Sequence, residues 1–102
     1  MSLLNFFDRN ALKIQITFDE FEREIKRYEE TARTCNISIC LSNPHDLIRF
    51  LEMKYSEFRK QSVKCFSEVT FKHSSQEFSM QQAERYMIEK LNMIISNHKN
   101  IK

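Results

Sequence analysis

Three cysteines (Cys35, Cys40, Cys65) and three histidines (His45, His73, His98) are among the residues of this chain able to ligate a metal or attack a carbonyl. A zinc site needs close ligand pairs, C-x₂₋₄-C followed by a second pair. Cys35 and Cys40, with four residues between them, make one such pair, and no second pair follows. A cysteine nucleophile needs a neighbouring base and an orienting third group, and no motif brings a histidine to any of these thiols. The cysteines therefore read as small core hydrophobes, and no metal, cofactor or catalytic residue is assigned. The chain is read as a non-enzyme.

Paired carboxylates are a second source of chemistry. Asp19 with Glu22, and Glu29 with Glu30, fall on the side of a helix read as solvated, where nothing would desolvate one of them and raise its pKa. The stretch from Arg59 to His73 is the most basic part of the chain, with Phe66 and Phe71 interleaved. A nucleic-acid-binding domain usually has a pI above about 9, whereas this chain carries a net charge of +2 and a pI near 8.5. A solvated face is the preferred reading. A small nucleic-acid-associated regulator acting through Arg59, Lys60, Lys64 and Lys72 is the alternative function.

Composition narrows the field further. With no glycine, the chain can hold no P-loop, dinucleotide fingerprint or nucleophile elbow. The same absence disfavours tight hairpins and favours helices. At 102 residues, 41% hydrophobic and 29% charged, it fits one compact folded domain over 1–102. No apolar run approaches the roughly 18 residues of a membrane span, and the opening residues lack the basic start of a secretory signal. The expected location is cytoplasmic, and no small-molecule substrate is evident.

Periodicity then supplies the elements. Thr17 with Glu20 forms a capping box, and Ile16 with Phe21 a hydrophobic staple, which predicts a helix over 18–35 with the stripe Phe18, Phe21, Ile25, Tyr28, Ala32, Cys35. Glu22 with Lys26 and Glu29 with Arg33 are i,i+4 pairs on its exposed side. Asn43 and Pro44 start a second helix over 44–61. Continued to Lys72 it would be about 43 Å long, so a break is expected near Gln61 to Val63. Ser79 with Gln82 caps a third helix over 79–97, followed by a loose tail over 98–102. A short helix over 2–10 is admitted as well. The resulting fold is mainly α, a small bundle of amphipathic helices. The alternative is an α+β domain with a small sheet from 13–17, 37–41 and 63–72, disfavoured because the loops lack glycine.

The chain opens on "MSLLNFFDRN", and its apolar residues either complete the core or anchor a partner. Phe50, Met53, Tyr86 and Met93 fall outside the main stripes of their helices. The predicted partner surface is therefore Leu3, Phe6, Phe7, Phe50, Met53, Tyr86 and Met93. The expected function is non-catalytic protein binding, as an adaptor, inhibitor, chaperone or assembly subunit able to self-associate.

Overall fold

The computed structural model of the chain describes residues 9–34, 44–65 and 68–99. Helices α1 (Arg9–Thr34), α2 (Pro44–Lys64) and α3 (Met80–Asn97) pack together. A hairpin of strands β1 (Phe71–His73) and β2 (Gln76–Phe78) precedes α3. Helix accounts for 81% of the described residues, so the domain is mainly α. The alternative three-strand sheet is absent among the described residues: 13–17 lies inside α1 and Val63 and Lys64 belong to α2, although Phe71 and Lys72 do fall in a strand, β1; 37–41 lies outside the described residues, as do 1–8.

α1 begins at Arg9, not at Phe18. The capping box around Thr17 is overruled by packing. Ile14 extends the stripe Phe18, Phe21, Ile25, Tyr28 one turn towards the N-terminus, and all five are at most 4% exposed. Burying an isoleucine stabilises by about 1.5–3 kcal/mol, against about 1 kcal/mol for a cap. Thr17 accordingly sits mid-helix, its hydroxyl donating to the Lys13 carbonyl at 2.8 Å. Glu20 faces α2, where the Lys54 ammonium meets it at 2.5 Å.

α2 runs back along α1, since Glu20 meets Lys54 near its middle and Asn10 meets its far end. There the Asn10 amide donates to the Lys64 carbonyl at 3.0 Å, satisfying one of the four carbonyls a helix leaves open at its C-terminus. α2 ends at Lys64, close to the expected break. The following segment is tied to α1 by the Gln15 amide, which donates to the Thr70 carbonyl at 2.9 Å. α3 has the bounds its sequence predicts, with both bonds of the Ser79–Gln82 capping box in place. His98, expected in the loose tail, is instead 7% exposed, and its backbone N–H closes the last turn of α3; 100–102 lie outside the described residues.

The hairpin turns through Ser74 and Ser75 without glycine. Ser74 takes φ 57°, a conformation that costs an L-residue with a Cβ about 1–2 kcal/mol. The opposing gain comes from Phe71, which is 2% exposed and lies 5.1 Å from the Phe18 ring and 5.5 Å from the Phe58 ring. Ser74→Gly removes the steric cost and is expected to stabilise the fold by up to about 1 kcal/mol. Urea unfolding checks this, and an unchanged or lower midpoint would show that the turn carries no relievable strain.

Candidate functional site

Glu22 is 7% exposed, although the sequence places it on a solvated face. Its side chain points between α1 and the hairpin, where its carboxylate accepts from His73 Nδ1. The imidazole stacks on Phe78 at 5.2 Å and lies 4.6 Å from the Tyr86 ring. Burial lowers the His73 pKa from its ordinary value, and the Lys90 ammonium adds to the effect. The Glu22 carboxylate pulls in the opposite direction. Tyr86 is pushed up to about 12 by burial, with Glu29 adding. Lys90 binds Glu29 at 2.5 Å and sits 5.8 Å over the Tyr86 ring. Glu22 and Glu29 thus reach other elements instead of forming the i,i+4 pairs expected with Lys26 and Arg33. Arg33 bonds Glu30 instead. A tertiary partner outweighs an exposed helix pair of about 0.2–0.5 kcal/mol.

The predicted partner residues separate into groups. Leu3, Phe6 and Phe7 lie outside the described residues. Tyr86 is half-buried and belongs to the aromatic cluster, 5.8 Å from Phe18. Phe50 and Met93 are also half-buried against the core. Each lines a shallow groove that includes Tyr28: Phe50 with Leu47 under the charged rim of Glu24, Arg27 and Asp46, about 320 Å³, and Met93 with Ala32 and Asn97, about 580 Å³. Between the grooves the Tyr28 hydroxyl receives the Asn97 amide at 3.0 Å and lies 3.3 Å from His98 Nε2. Burial lowers the His98 pKa, and His45 adds to this. Met53 is 54% exposed on α2.

The basic residues Arg59, Lys60 and Lys64 are exposed on the C-terminal half of α2, and Lys72 is exposed on β1. Tyr55, Ser56, Arg59, Lys60 and Val63 line a third groove of about 460 Å³. The Tyr55 hydroxyl donates to Glu84 at 3.2 Å, and burial first, then Glu84, raises its pKa. Arg59 lies 3.8 Å from the same carboxylate.

Sequence reasoning missed Glu22 and His73 as a pair. Their separation of 51 residues leaves no local signal, and the hairpin that joins them was itself unanticipated. Among the described residues no cluster of three metal-ligating side chains forms, and no helix is long and apolar enough to cross a membrane. Cys65 is half-buried against the core, while Cys35 and Cys40 lie outside the described residues. No family model, no curated protein and no solved structure matches the chain.

Proposed function

We propose that the chain is a non-catalytic protein-binding module, an adaptor, inhibitor, chaperone or assembly subunit that can self-associate. The observation that carries this reading is apolar surface left over once the core is closed. Phe18, Phe21, Phe58, Phe71, Leu51 and Met87 are buried to 2% exposure or less, yet Leu12 at 60%, Ile16 at 47%, Met53 at 54% and Val63 at 80% remain exposed. Scattered single hydrophobes need no explanation. Leu12 and Ile16, however, are i,i+4 neighbours on α1, so they form a patch.

The Glu22–His73 pair has residue types suited to acid–base chemistry. Phe78 and Tyr86 pack against its imidazole, however, and neither member lines the three grooves described above. That arrangement favours a structural role for the pair.

The test replaces the exposed Leu12 and Ile16 and, separately, the half-buried Phe50, and leaves the fully buried core alone. Leu12→Ser with Ile16→Ser, and separately Phe50→Ser, are expected to preserve the far-ultraviolet circular dichroism. The same variants should lower the oligomer mass in native mass spectrometry or remove a cross-linked partner. A wild-type chain that is monomeric, and whose cross-linked partners are indifferent to both variants, would refute the reading.

A further inference from the structure

The outward face of α2 differs from what a helix turned to water requires. Arg49, Met53, Ser56, Lys60 and Val63 follow one another at spacings of four, three, four and three, which places them in one stripe. All five are exposed, Val63 at 80%. The charged members of the stripe are cations, and Lys64 adds a third beside them. Among the described residues, Lys60 and Lys64 take part in no ion pair, whereas Lys54 on the inward side holds Glu20 and lies 3.9 Å from Glu57. Asp46, Glu52 and Glu57 of α2 flank the stripe, and Glu84 of α3 lies 3.8 Å from Arg59 at the edge of the groove. Its C-terminal half carries the shallow groove of about 460 Å³ between Tyr55 and Val63.

We infer that this face docks an acidic amphipathic helix of a partner protein. Apolar residues of that helix cover Met53 and Val63, and its carboxylates meet Arg49, Lys60 and Lys64. The inference rests on the protein-binding reading and narrows it to a partner class. Charge complementarity selects the occupant. A second copy presenting the same face would bring cations onto cations, at a cost that opposes pairing. A nucleic-acid backbone would neutralise the lysines and leave Met53 and Val63 with nothing apolar to cover. A helix with leucines on one side and glutamates beside them satisfies both halves of the stripe.

Fluorescence anisotropy on the intact chain tests this with three probes. These are a labelled synthetic helix with leucines at helical spacing and glutamates elsewhere, the same helix with lysines in place of the glutamates, and a duplex DNA. The acidic helix is expected to bind at least about tenfold more tightly than the basic one, with the difference shrinking as salt screens the pairs. Lys60→Glu with Lys64→Glu should weaken it about tenfold or more, Val63→Asp should weaken it measurably, and Arg23→Glu on α1 should leave it unchanged. Equal binding of the two helices, no binding of the acidic helix, or lysine-dependent binding of DNA that the acidic helix does not displace would each overturn the inference. Failure here with association through Leu12, Ile16 or Phe50 intact would remove the α2 assignment alone. Loss of that association as well would remove the protein-binding reading itself.

Discussion

Phe18→Ala is expected to cost about 3–5 kcal/mol, the upper range for truncating a buried aromatic. Phe18 is fully buried, and its ring lies 6.4 Å from Phe58 of α2, 5.1 Å from Phe71 of β1 and 5.8 Å from Tyr86 of α3. Among the described residues, one side chain of α1 therefore touches both other helices and the hairpin. Collapse around the cavity is restricted, because Phe71 is held by strand pairing and Phe58 and Tyr86 by their helices. Domains of this size have stabilities towards the low end of about 5–15 kcal/mol, so the variant should be largely unfolded at modest urea. Leu12→Ala, at a site 60% exposed, is the control and should shift stability by no more than about 0.5 kcal/mol. A loss below about 1.5 kcal/mol for Phe18→Ala, measured by circular dichroism in urea, would mean that the four elements do not converge on this ring.

Phe18 also shows what the sequence made legible. Its place in the stripe with Phe21, Ile25 and Tyr28 follows from spacing alone, as do the caps of α3 and the Pro44 start of α2, because these signals are local. Arg9 as the start of α1 was not legible. "KIQIT" alternates as a strand would, and the cap at Thr17 offered a competing start. The decision in favour of helix came from Ile14 finding a place beside Phe18 in the core. The hairpin was hidden for a related reason: Ser74 adopts a backbone angle that glycine usually supplies, and only the burial of Phe71 offsets the cost. The predicted partner residues fared according to their neighbours. Met53 remains exposed, while Tyr86 is drawn into an aromatic cluster whose other members, Phe18, His73 and Phe78, come from α1 and the two strands. No periodicity within α3 contains that information.

Breaking the Glu22–His73 pair should produce the second large effect, and an asymmetric one. His73→Ala strands a carboxylate whose side chain is 9% exposed. Leaving a buried acceptor unsatisfied costs about 1–3 kcal/mol, and more when the acceptor is a charged carboxylate. Glu22→Ala leaves an imidazole N–H without its acceptor on a ring that is 26% exposed, which costs about 1–3 kcal/mol. Glu22→Leu with His73→Phe removes both polar groups and should recover most of either loss. A urea double-mutant cycle measures the coupling, and strictly additive single effects below about 0.5 kcal/mol would refute it. The sign of the pH dependence follows from the same burial. His73 and His98 both have lowered values in the fold, from burial first and then from Lys90 and His45 respectively, so the folded protein holds the neutral rings. The unfolded chain takes up those protons near pH 6.5, the ordinary histidine value, before the folded chain does. The contribution is thus fully present above about pH 6.5 and is lost as the pH falls through the lowered folded values. The wild type should lose stability on acidification below that point. The double variant, which keeps only His98 of the two, should lose less. An acid branch of equal slope in both proteins would show that His73 is not held neutral between Glu22, Phe78 and Tyr86.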